Sequence, residues 1–310
     1  MKLAAFRRPD DDPGDRFVGL VLGQGEHLRI HPFPVDADLV VLLAQTRERR
    51  EALADEAAAH DGLTLDDVVL LPPVYPTAMR DFLTFEAHVD GMERGHGNPG
   101  PPAEWYQAPV FLFMAPHAVT GAYDDVEMPP DTERFDFELE IAAIVCQDVR
   151  NATPDEAREA IGGYCVMNDW SARDIQRREM KLSLGPAKGK DFATSLGPWL
   201  VTPDELEPFR RGKAFDLAMT ASVNGVEYSR ASLADIHWSF GEMVAYASRS
   251  TRVEPGDVIG SGTCGTGCIL ELSLVHGTDA YPWLRPGDGV MVEVEHLGRL
   301  FSKVMARTGR

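Results

Sequence analysis

Beyond residue 108 the chain is cut by glycine, proline and aspartate into apolar runs, most of them too short to be core helices: VFLFM, FDFELEIAAIV, PWLVT, DLAMTASVNG, DVIGSG, ILELSLVHG, GVMVEVE and LFSKVM. Short runs of this kind, bounded by turn formers, read as strands. Only PDEAREAI near residue 154 and the segment 233–250 carry apolar residues at spacings of three and four, and these are predicted as helices. The main body is therefore expected to be largely sheet, with a few covering helices. Upstream, LAAF, RFVGLVL and HLRIH predict a small β unit, and residues 37–59 predict a helix that stops at Asp61-Gly62. Pro72, Pro73 and Pro76 then form a stiff hinge. The expected organisation is a small N-terminal α+β domain, 1–71, and a main body, 72–310.

At 44% hydrophobic over 310 residues, the chain has enough apolar material for a substantial core. A net charge of -19 repels polyanions, which argues against nucleic acid and anionic membrane as partners and still permits a local basic site for a small acid. The opening MKLAAFRRPDDDPGD turns acidic before an apolar core of signal-peptide length, and no run approaches a membrane span. A cytoplasmic protein is expected. Cys146, Cys165, Cys264 and Cys268 form no C-x-x-C pair and are expected to be buried free thiols. GSGTCGTG is not followed by Gly-Lys-Ser/Thr, and GLVLGQG lacks a third glycine, so neither is a nucleotide cradle.

In FDFELEIA, strand alternation puts Phe137, Leu139 and Ile141 on one face and Glu138, Glu140 and Ala142 on the other. Glu-x-Glu is often just the solvated face of a strand. Two parallel carboxylates in a half-buried sheet, however, repel each other unless a cation sits between them. Either that face is wet or a metal is bound. Asp169 ends the apolar run GYCVMN, where a strand delivers a polar group to a pocket; an aspartate-capped surface turn is the other reading. Two glutamates and an aspartate make an oxygen-only ligand set, suited to Mg²⁺, Mn²⁺ or Ca²⁺ and not to zinc.

MNDWSARDIQ, then LGPAKGKDFATSLGPWLVT, then PGDVIGSGT with ILEL shortly after, and FELEIA upstream, together resemble the fumarylacetoacetate hydrolase family, in that family's order and from about Pro72 to the C-terminus. The resemblance implies an α+β, mainly β fold, a mixed β-roll catalytic domain, usually homodimeric, that holds a divalent metal, with Mg²⁺ first and Ca²⁺ or Mn²⁺ as alternatives. It assigns metal ligation to Glu138, Glu140 and Asp169, joined by Asp81 in DFLTFEAH, and the role of base to His88, seven residues after Asp81. Glu271 of ILEL would orient that histidine, and an acid-His pair of this kind deprotonates water near neutral pH. Arg173, Gln176 and Lys190 would steady the developing oxyanion, with NDWSARDIQ as one loop serving metal and oxyanion together, and Gly262 and Thr263 would line the pocket. Fumarylacetoacetases carry substrate-contacting tyrosines where this chain aligns Leu83 and Met180, which implies a different or less polar substrate.

The expected activity is metal-dependent hydrolysis of a C–C bond in a 1,3-diketone or acylpyruvate, with water activated by His88. One rival is an isomerase or decarboxylase of 2-oxo or 2-hydroxy-dienoate dicarboxylates in aromatic catabolism, which needs the metal but no water-activating base. Another is a binding module that keeps only a structural metal. Each site residue also has a bland reading: a structural histidine beside phenylalanines, an exposed Arg173–Asp174 pair, an ordinary loop lysine at 190.

Overall fold

The computed structural model describes residues 1–34, 38–183 and 185–307. The strand-like runs build one 11-stranded sheet and one five-stranded sheet. The order across the large sheet is Arg29–Pro32, Phe17–Leu22, Lys2–Arg7, Thr194–Val201, Ile161–Asp169, Leu139–Val145, Val258–Gly260, Met79–Phe82 and Phe111–Met114. Its central members, Ile161–Asp169 and Leu139–Val145, are buried at every position. Ile141, Ala143 and Val145 pack into one core cluster, with Met219, Val292 and Leu300 of the smaller sheet, while Ala142 and Ile144 pack into a second cluster on the opposite face. Burial on both faces explains why these runs are continuously apolar apart from the residues that carry chemistry.

The predicted N-terminal β unit is continuous with this large sheet. Lys2–Arg7 pairs antiparallel with Phe17–Leu22 on one side and Thr194–Val201 on the other, in the register Leu3↔Leu200. The prolines at 72–76 thus turn the chain without breaking the sheet. The helix predicted for 37–59 is two helices, Leu39–Leu43 and Arg47–Ala58, each started by its own cap at Asp38 and Thr46; Ala37 lies outside the described residues. Their Leu39, Leu42, Leu43 and Leu53 cover the second face of the sheet.

Three local expectations change. ILELSLVH is an α-helix, Ile269–His276, and not a strand, because a short apolar run carries no periodicity that separates the two. Residues 233–250 hold a 3-10 turn, Leu233–Asp235, and a shorter helix, Phe240–Ala247, because Ser239 and Glu242 form a capping box that starts the helix there. NDWSARDIQ is not one loop. It closes a strand at Asp169, adds the short strand Ser171–Ala172 and opens the helix Arg173–Met180. Trp170 anchors the transition, fully buried, stacked on Phe135 and donating from Nε1 to Ser195 Oγ at 2.9 Å. The helix at 154, Pro154–Glu159, is present, and the four cysteines are buried and free. Among the described residues no helix is long and apolar enough to cross a membrane.

Candidate active site

Four neighbouring strands end at one place. Leu139 opposes Asn168 and Glu140 opposes Met167, so the start of one strand meets the end of the other, where Asp169 sits. On the far side Ala142 opposes Gly260, and Gly260 opposes Asp81 in a parallel pair. Register alone therefore brings residues 81, 138, 140 and 169 to the same edge of the sheet. Carboxylate oxygens of all four lie within 4.8 Å of one another, and all four residues are buried. The solvated-face reading of Glu-x-Glu is excluded, since Glu140 is 0% and Glu138 5% exposed.

The surrounding hydrogen bonds fix each acid. Gly262 N–H donates to Asp81 Oδ1 at 3.0 Å, from a backbone at φ +77 where a Cβ would meet the Phe82 carbonyl oxygen at 2.2 Å; only glycine fits there. Thr263 Oγ1 donates to Glu140 Oε1 at 3.3 Å. Arg173 reaches Glu138 Oε1 from Nη2 at 2.8 Å, and Lys190 Nζ bridges Glu138 Oε2 and Asp169 Oδ2. Arg173 and Lys190 are 6% and 4% exposed, so the readings of an exposed ion pair and a loop lysine do not hold. Arg173 also donates from Nη1 to Gln176 Oε1 at 3.1 Å. A guanidinium can only donate, so the amide oxygen of Gln176 faces it and the NH₂ points elsewhere. Gly189 lets the loop bearing Lys190 lie against that residue: a Cβ there would sit 2.7 Å from the Gln176 backbone nitrogen.

Asp136 is the member that the sequence reading missed. It is 0% exposed and accepts from Arg173 Nε at 2.8 Å. The signal was present, because Asp136, Glu138 and Glu140 form a single i, i+2, i+4 series. Five buried carboxylates, of Asp81, Asp136, Glu138, Glu140 and Asp169, thus face two buried cations. The electrostatics follow from that imbalance. Burial pushes Asp81 up to about 6, against the pull of Lys190. Burial, together with repulsion from Asp81, Glu138 and Asp169, holds Glu140 well above the usual carboxylate range. Asp169 is likewise raised by burial, against the pull of Lys190. Glu138 alone is held well below, because Lys190 and Arg173 outweigh its burial.

Glu140 Oε2 and Asp169 Oδ1 are buried with no hydrogen-bond partner. Unpaired carboxylate oxygens in a cluster with excess negative charge are what a hard divalent cation satisfies, and the donor set is all oxygen. The residues present therefore fit such an ion.

Beside this cluster, His88 Nδ1 pairs with Glu271 Oε2 at 2.6 Å, and both residues are buried. His88 lies in the first turn of the helix Glu86–Gly95, and Glu271 in that of Ile269–His276. Thr266 N–H also donates to Glu271 Oε2, at 2.9 Å. His88 is near enough to Glu138 to contribute to the lowering of that carboxyl. Nδ1 is committed to the carboxylate, so Nε2 is the nitrogen left for a reacting proton. Leu83 is half-buried, its carbonyl accepting from Trp105 Nε1 at 2.8 Å. Met180 is 53% exposed, at i+7 from Arg173 and so on its face of the helix.

The chain matches the family described as fumarylacetoacetate (FAA) hydrolase C-terminal over residues 77–305. It is similar to a fumarylacetoacetase of Oryza sativa subsp. japonica, 28% identical over 303 residues, covering 77% of this chain and 70% of that protein. Among solved structures it resembles a fumarylacetoacetate hydrolase from psychrophilic Exiguobacterium antarcticum, with a TM-score of 0.73 and 25% identity over 99% of this chain and 100% of the other. It also shares its fold with a 5-carboxymethyl-2-hydroxymuconate delta-isomerase from Mycobacterium smegmatis, with a TM-score of 0.71 and 23% identity over 99% and 100% of the two chains.

Proposed function

The chain belongs to the fumarylacetoacetate hydrolase family, and on that premise we propose that it is a divalent-metal-dependent hydrolase that cleaves a C–C bond in a 1,3-diketone or acylpyruvate. The observation that carries the choice of hydrolysis is the buried His88–Glu271 pair at 2.6 Å beside the acid cluster. Isomerisation or decarboxylation has no use for a water-activating pair. Asp81, Glu138, Glu140 and Asp169 would hold the ion, with Mg²⁺ proposed first. When bound, it supplies a concentrated positive charge that polarises the substrate's oxygens.

The remaining work falls to the chain's own groups. His88 Nε2 takes a proton from water as the water oxygen bonds to a substrate carbonyl carbon, and Glu271 stabilises the imidazolium that forms. Collapse of the adduct breaks the adjacent C–C bond, whose electron pair leaves as an enolate. The imidazolium then returns the proton to the enolate carbon. Negative charge on the enolate oxygen would be met by the third N–H of Lys190 and the NH₂ of Gln176. Arg173 spends three of its five N–H groups on Asp136, Glu138 and Gln176, which fix its orientation, and its remaining N–H groups would join Lys190 and Gln176 in steadying the enolate oxygen. Gly262 and Thr263 serve the carboxylates, and Leu83 and Met180 offer apolar surface for the substrate's tail. A homodimer belongs to the same proposal, and sedimentation of the purified chain tests it.

The decisive experiment assays a panel of acylpyruvates and 2-hydroxy-dienoate dicarboxylates with and without chelator. Hydrolysis is expected, lost to chelator and restored by Mg²⁺ or Mn²⁺, with His88→Ala lowering kcat by about 10²–10⁴. Turnover intact in His88→Ala but abolished in Glu138→Ala and Glu140→Ala would sink the hydrolase reading and favour the isomerase or decarboxylase. Metal-dependent melting without any turnover would point to the binding module.

A further inference from the structure

The helix Ile269–His276 carries Glu271, yet its own N-cap is Cys268, whose Sγ accepts from Glu271 N–H at 3.5 Å. A thiol is a weak acceptor, far poorer than the usual serine, threonine or aspartate cap. The first two N–H groups of the helix are satisfied from elsewhere. Ile269 N–H donates to Asp136 Oδ1 at 2.7 Å, and Leu270 N–H to Asp136 Oδ2 at 3.0 Å. The same carboxylate takes Arg173 Nε at 2.8 Å. A residue 133 positions away thus supplies the negative charge that a helix N-terminus favours.

We infer that Asp136 is a positioning residue that ties the two halves of the site together. Through Arg173 it fixes Glu138 and Gln176 on the acid-cluster side. Through the helix N-terminus it fixes Glu271, and with it the His88 ring, on the base side. All three of its donors are accounted for in full burial, so the carboxylate has one orientation. This role rests on the reading of His88 as the base, but the linkage from Asp136 to the His88–Glu271 pair stands on geometry alone.

The test is Asp136→Asn in the full chain. Asparagine keeps the shape and one acceptor oxygen, but its NH₂ faces Ile269 N–H if it takes the Oδ1 place, or both Leu270 N–H and Arg173 Nε if it takes the Oδ2 place. Two readouts are taken on folded protein: steady-state kinetics on whichever acylpyruvate the wild type turns over, and the His88 Nδ1–H proton resonance, assigned by its loss in His88→Ala. The expected result is a kcat lower by about 10–100-fold, as for other residues that orient reacting groups, with KM changed by less than about threefold and the His88 resonance shifted or broadened. A folded variant whose His88 resonance matches the wild type overturns the inference, whatever its kcat. Should Asp136→Asn alone fail to fold, the same comparison is made in a Cys268→Ser background, where a hydroxyl gives the helix a stronger local cap. If the wild type turns over no dicarbonyl, the hydrolase reading falls, and the resonance, which needs no substrate, still decides the role of Asp136.

Discussion

Replacing Asp81 by asparagine tests the electrostatics of the acid cluster directly. Asp81 is fully buried in the cluster and its carboxyl is pushed from 3.8 up to about 6, with desolvation as the main cause. The folded state therefore binds this proton more tightly than the unfolded chain does. Between pH 4 and pH 6 the folded protein holds the extra proton, so metal-free stability falls as pH rises through that window and is low above it. A displacement of roughly two units corresponds to about 3 kcal/mol. Asparagine copies the protonated form, and its oxygen can keep the 3.0 Å bond from Gly262 N–H. Chelator-treated Asp81→Asn should thus be more stable than wild type at pH 8, by up to about 3 kcal/mol, and equal to it near pH 4. For a chain of 310 residues that is a rise in Tm of about 5 °C. Divalent ion should act the other way: at 100 times its Kd it stabilises the wild type by about 2.7 kcal/mol, and it stabilises the variant, which has lost a charged ligand, by less. Calorimetry at pH 4 and pH 8, with chelator and with Mg²⁺ or Mn²⁺, reads both effects. A metal-free variant that melts below wild type at pH 8, or a wild type indifferent to every divalent ion, would refute the reasoning.

Arg173→Met takes the buried guanidinium partner from Asp136 and Glu138, leaving the first to its two helix amides and the second to Lys190, and should cost about 3–5 kcal/mol, seen as a lower midpoint in urea. Gly262→Ala forces a side chain into a φ of +77 and against the Phe82 carbonyl, and should lower Tm and weaken metal binding together, measurable by Mn²⁺ titration. Gly189→Ala pushes the Lys190 loop off the helix that bears Gln176 and should lower kcat by about tenfold with the fold intact by circular dichroism.

The residue types and their local order were legible in the chain before folding: alternation announced Glu138 and Glu140, the end of an apolar run announced Asp169, and short runs between turn formers announced a sheet-rich body. Those are properties of neighbours in sequence, where side-chain period is set by backbone geometry. Asp81, His88, Glu271 and the cations drew their meaning there from resemblance alone, since nothing within a few residues of His88 says that it meets an acid 183 positions away. Asp136 went unread even though it continues the Glu-x-Glu series, because what distinguishes it is a helix N-terminus 133 residues distant. ILEL could have been strand or helix until Asp136 satisfied its first amides. What the tertiary structure decided is which charges share one dry volume. Strand register brought the four acids to one edge, and burial then made their mutual repulsion strong enough to call for a cation.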